Sequence, residues 1–254
     1  MPLVTSGAVV STPTVPAGTG ALPDIANVQS SNDPHLLLGG SYEGTGLCGP
    51  GVISVGIDPC ARADMQQAVG AIGYTAAYAG IVLTGASCLG PVDLASLQEA
   101  ALRNSDTKIN RTIQDNIVGG LIPLNKFTTS TSTGNGLAEA ESGARCTYFG
   151  QAVLHINPKT ATQWMGREII RVGRHLETVA GSLVSLSCGV ADKKIAVTGY
   201  LTIYKGANRV LPPLSAAPST GAPGATHSNH WFVSVQTPVT LFNDCDLALL
   251  ITGA

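Results

Sequence analysis

His227 and His230 stand close together in "HSNH", and Asp244 and Asp246 follow downstream. Two imidazoles and two carboxylates form a donor set for a divalent cation if the fold gathers them. Their spacing matches no established zinc signature, and loop histidines are commonly just solvated. These four are therefore the metal candidates, while no metal or other cofactor is expected. Cys188, in "SLSCGV", is a second chemical candidate, a thiolate nucleophile with His155 or His175 as its base. One cysteine with distant histidines is, however, a common and inert combination. "GASCLG" (Gly85–Gly90) comes nearest to a nucleophile elbow but lacks the second glycine where that strained turn needs it.

The remaining motif chemistry is missing from the sequence. There is no P-loop, no G-x-G-x-x-G opening a helix after a strand, no H-E-x-x-H and no EF-hand loop. Gly44-Thr45-Gly46 and Gly49-Pro50-Gly51 have no lysine to cradle a phosphate, so they read as turns. No catalytic residue is assigned and the chain reads as non-enzymatic. Arg167, Arg171 and Arg174 carry the one charged pattern with a functional reading. They face other subunits or, more weakly, the phosphates of an enclosed nucleic acid. Glu168 and Glu177 nearby dilute that basic surface.

The elements expected to position these residues make an α+β chain. Residues 1–57 carry Pro2, Pro13, Pro16, Pro23, Pro34 and Pro50 without clean periodicity, and read as an extended N-terminal arm lying along a neighbour. Residues 58–254 form the core, with a helical middle segment over 58–120. Asp58-Pro59 caps a helix whose face is Met65, Val69, Ile72, Ala76 and Ala79. Met65 to Val92 carries no charge; its glutamines, tyrosines and glycines point to a buried small-residue helix rather than a membrane span. "PVDLASLQEAALRN", capped by Asp93, is a second helix, and Ile109, Ile113 and Ile117 mark a third, stopped by Gly119-Gly120. "FTTSTSTGNG" (127–136) reads as an exposed loop.

Residues 145–254 form the β-rich half with one long amphipathic helix. "RCTYFGQAVLHI" alternates as a strand, and Asn157-Pro158 then starts a helix over 158–181. Its seam is Met165, Ile169, Val172, Leu176, Val179 and Leu183, with the three arginines opposite and Gly166, Gly173 and Ala180 on one flank. Ile195 to Tyr204 alternates as a strand, "KGAN" turns, and a long Pro/Gly/Ser loop leads to "HWFVSVQTPVTLF" and "CDLALLITGA", two further strands.

Composition supplies the functional reading. Only 12% of the 254 residues are charged, about half the usual share for a soluble domain. No Lys or Arg precedes Arg62 or follows Arg209, so 14 bases face ten acids in residues 62–209. A skin this poor in charge is normally covered, and further copies of the chain are its natural cover. The six cysteines are scattered without a CxxC pair, and the start "MPLVTSGAVVSTPTVPAG" lacks a basic n-region, so reduced thiols and synthesis and assembly in a host cytoplasm are expected. The expected function is structural: a homo-oligomer self-assembling into a virion-type particle, as a bacteriophage capsid shell or capsid-stabilising protein and, in second place, a tail component. Its partners are copies of itself and other particle proteins, with weak contact to packaged nucleic acid and no membrane. A surface-displayed or secreted binding module, or an enzyme with an unrecognised site, is the alternative.

Overall fold

A computed structural model describes residues 20–33, 37, 41–43, 74–89, 93–216, 230–245 and 247–254. The chain enters with a single helical turn, α1 (Leu22–Ile25), and strand β1 (Ala26–Ser30). Short strands β2 (Ser41–Glu43) and β3 (Tyr74–Ala76) pair with each other and lead into β4 (Tyr78–Leu89). Helix α2 (Leu94–Asp115) follows. Its first turn is closed by Asp93, whose carboxylate accepts from Ala95 N at 3.2 Å and Ser96 N at 3.3 Å. Leu97, Ala101, Ser105, Ile109 and Ile113 recur every four residues on its buried face. The second and third expected helices are thus one, because this stripe runs unbroken through Asp106 and Lys108.

Beyond α2 come β5 (Thr128–Thr131), helix α3 (Gly136–Thr147), β6 (Val153–Ile156), the turn α4 (Pro158–Ala161), β7 (Ile169–Val172), β8 (His175–Thr178) and β9 (Leu183–Leu186). The last elements are β10 (Lys194–Thr198), β11 (Leu201–Lys205), β12 (Arg209–Val210), β13 (Leu214–Ala216), β14 (His230–Asn243) and β15 (Ala248–Thr252). Two large sheets result. One has the order β5-β15-β10-β6-β9-β8-β7; in the other β14 is central, with β4 along one side and β11, β12 and β13 along the other. Helix α3 covers one face of the seven-stranded sheet with Leu137, Ala140 and Ala144. The N-terminal half of α2 packs Leu97 and Ala101 on Val233 and Val235 of β14. Its C-terminal half packs Ile109 and Ile113 into a core that includes Val153, Leu183, Ile203 and Leu241, drawn from both sheets. The helix is a shared wall.

Several expectations are corrected. The long helix over 158–181 is absent: only Pro158–Ala161 is helical, under the predicted Asn157 cap (Asn157 Oδ1 accepts from Lys159 N at 3.0 Å), and residues 169–178 form a hairpin. Gly166 and Gly173 adopt φ of +80° and +61°, and Gly173-Arg174 is the two-residue turn joining β7 to β8. β-Branched Ile169, Ile170, Val172 and Thr178 then favour the pleated arrangement. Only half of the expected seam is internal. Ile169, Leu176 and Leu183 are buried, whereas Met165, Val172 and Val179 are exposed.

Residues 74–89, expected within a helix, are strand, since the helical spacing there rested on small Ala76 and Ala79 while β4 pairs with β14 over twelve residues. The part of that helix before Tyr74 lies outside the described residues. The expected arm is likewise not wholly extended. Leu22 and Ile25, three apart on one turn, are buried in the main core, and β1 pairs in parallel with β11 of the same chain. The Thr-rich stretch 128–131 is an edge strand rather than loop, and Arg145–Thr147 closes α3 before β6 begins. The alternation from Ile195 to Tyr204 divides into β10 and β11, which belong to different sheets. The strands expected after the long loop are present as β14 and β15.

Candidate functional site

The three arginines collect at the β7 edge of the seven-stranded sheet, although not on a helix. Arg167 precedes β7 and donates from Nη2 to Gln163 O at 2.9 Å. Arg171 lies on β7 and donates from Nε to Gly173 O at 3.1 Å. Arg174 occupies the hairpin turn, its Nε 3.9 Å from Asp24 Oδ1; with the arginine side chain 80% exposed, this pair contributes little. The nearby acids are engaged elsewhere: Glu168 accepts from Asn135 Nδ2 at 2.9 Å, and Glu177 bonds His175 Nε2 at 2.8 Å. Strand alternation puts Arg171 on the face of Ile169 and sets half-exposed Ile170 and Val172 on the other. The edge is therefore a basic rim beside a small apolar step.

The metal candidates do not assemble where they can be followed. His230 opens β14 and Asp244 stands just past its end, roughly 45 Å along the strand. Asp244 Oδ2 accepts instead from Tyr148 Oη at 2.7 Å. His227 and Asp246 lie outside the described residues. Among the described residues no group of three or more His, Cys, Asp or Glu is placed to hold a metal ion.

Cys188 is exposed where the end of α2 meets the segment after β9. Its N–H donates to Asp115 Oδ1 at 2.8 Å, and its Sγ accepts from Arg111 Nη2 at 3.0 Å. Neither candidate base serves it. His155 is fully buried on β6, with Nε2 3.0 Å from Thr198 Oγ1 and Nδ1 unpartnered, and burial pushes its pKa down to about 3. His175 is engaged with Glu177. Gly85–Leu89 runs straight along β4 and makes no elbow. Cys146 and Cys188 are free thiols and Cys88 is not disulfide-bonded, but Cys245 is disulfide-bonded, which corrects the expectation of six reduced cysteines.

The feature that sequence reasoning missed is the outer side of β4, where Ile81 and Leu83 are 63% and 61% exposed. Its signal was the charge-free run from Met65 to Val92, whose described part is strand. Among the described residues, no helix is long and apolar enough to cross a membrane.

No protein-family model and no curated protein matches the sequence. Among solved structures, the capsid of the native GTA particle, computed with C5 symmetry, is similar with a TM-score of 0.53 and 16% identity, over 99% of this chain and 96% of that one. The capsid of the empty GTA particle gives 0.50 and 14% over the same shares. A virus-like particle from Pyrococcus furiosus gives 0.49 and 10%, over 89% of each chain. The fold of this chain, two sheets joined by the wall helix α2, is that of the GTA particle's capsid chain.

Proposed function

We propose that this chain is a non-enzymatic structural subunit that self-assembles into a virion-type particle, as its capsid shell or a shell-stabilising component. The observation carrying this reading is the likeness in fold to the native GTA capsid over 99% of this chain and 96% of that one, which is a likeness to a whole particle subunit. Two features of the surface support it: an uncharged, apolar β4 and a basic β7 rim, neither built around a catalytic set. On this reading Arg167, Arg171 and Arg174 contact neighbouring subunits, with packaged nucleic acid as a weaker partner. The protein works in the virion after synthesis and assembly in a host cytoplasm. Negative-stain microscopy of the purified protein, with light scattering after size exclusion, tests this. Closed shells, with a mass far above the 25.9 kDa of one chain, are expected. A stable monomer at micromolar concentration overturns the reading.

A further inference from the structure

Strand β4 is an edge that lacks the sequence devices that normally protect one, although α2 packs along it near Gly85. Over its 12 residues, YAGIVLTGASCL, there is no charge and no proline, and its register with β14 runs one to one without a bulge. Gly85 O accepts from Asn104 Nδ2 of α2 at 3.2 Å, so the backbone groups of Gly85 face away from β14. In an antiparallel ladder that direction alternates, so Leu83, Ile81 and Ala79 also turn N–H and C=O to the open side. Among the described residues no strand pairs with that side. Beside it runs a groove of about 390 Å³, with Gly80–Leu83 as one wall and Asn116, Gly120 and Leu121 in the other.

We propose that this edge accepts an added β-strand, and that the strand is residues 3–12 of a second copy of this chain. The inference rests on the shell reading above and gives one of its contacts an address. An occupant must be uncharged, because both the edge and the groove walls are; it must favour extension and keep its N–H groups. Leu3–Thr12 carries no charge and no proline, includes Val4, Thr5, Val9 and Val10, and is bounded by Pro2 and Pro13, which end a ladder. The described chain begins at Gly20 on the opposite side of α2 from this groove. Gln114 Nε2 holds Gly20 O at 2.9 Å, and at 100° per residue Gln114 faces away from Asn116. On this proposal a neighbour's strand adds to the edge from outside the subunit, by strand addition.

Hydrogen exchange on the full-length protein, dilute and assembled, tests this. Fragments covering Ala79–Leu83 and Leu3–Thr12 should both slow by about tenfold or more on assembly. Ile81→Pro removes an N–H that faces the groove and spares the β14 ladder, so it should abolish both protections while the β14 amides stay slow. Protection of only one fragment, protection of both that ignores concentration, or survival of both in Ile81→Pro overturns the proposal. If Ile81→Pro also loosens β14, the wild-type comparison alone decides. Shells that form with this edge unprotected defeat this inference alone, whereas absence of any shell defeats the proposed function with it.

Discussion

The two sheets end in edges of opposite chemistry. The outer edge of β4 is uncharged over Tyr78–Leu89 and exposes Ile81 and Leu83; the β7–β8 edge carries Arg167, Arg171 and Arg174 around a tight turn. Charge on an edge discourages indiscriminate strand pairing, and its absence invites a partner. On the proposed reading the two sides take separate tasks, one accepting a fitted neighbour and the other staying selective. The β4 edge rests on α2, whereas the β7–β8 hairpin is anchored through Ile169 and Leu176 in the cluster beneath α3.

The largest effect expected is beneath the basic edge. Leu176, buried on β8 against Ile169 and Val184, should cost about 2–5 kcal/mol when cut to alanine, read as a fall in thermal or denaturant midpoint. A loss below about 1 kcal/mol would mean that the hairpin is not anchored to the core.

Acid should then separate the two sides. His155 lies inside the seven-stranded sheet with its pKa depressed from 6.5 to about 3 by burial. The unfolded chain therefore binds the extra proton first. His155's contribution is complete above pH 6.5 and declines as pH falls from 6.5 towards 3, by about 2 kcal/mol at pH 5. Denaturant titrations at pH 7 and pH 5 should show this loss in the wild type and a flatter profile in His155→Gln. Hydrogen exchange should report loosening of β6 and β10 before β4. Equal pH dependence in both proteins would remove His155 as the cause.

Two smaller effects on the subunit sharpen the contrast at the surface. Ile81→Lys places a charge on the unguarded edge and should change subunit stability by no more than about 0.5 kcal/mol while sharply lowering particle yield. Arg171→Ala should be the mildest, within about 0.5 kcal/mol in the subunit, with its effect seen in assembly and salt dependence. If Arg171→Ala destabilises the subunit as much as Leu176→Ala, the rim is part of the core and the comparison of edges fails.

Much of this fold was legible where local chemistry is unambiguous. Asp93 caps the helix it was expected to cap, Asn157 caps a turn at the expected start although not the long helix expected after it, and β14 and β15 stand where alternation and turn residues placed them. The hairpin was illegible for a geometric reason. A four-residue strand plus a short turn repeats at about seven residues, which copies a helical heptad. Ile169, Leu176 and Leu183 keep that beat inside the core, while Met165, Val172 and Val179 keep it outside. Strand β4 was hidden differently: its glycines and alanines carry little burial of their own, and only pairing with β14 defines it. Gly85 illustrates this, since a Cβ there would meet Val233 O at 2.3 Å. The arginine cluster was legible as a group, but its common surface comes from a tight turn rather than from a helix face.

The side chain of Gln114 has one further consequence. Its Nε2 lies within hydrogen-bond distance of Gly20 O at 2.9 Å, Ser185 Oγ at 3.0 Å and Leu186 O at 3.2 Å, all in or beside the core. A pull transmitted to Gly20, or a protease that has reached it, meets this clasp. Leu22 and Ile25 lie just behind. Trimming should halt in a narrow window near residue 20 and leave β1 in place, so the clasp sets how much of the N-terminus is expendable to the subunit and how much belongs to its body.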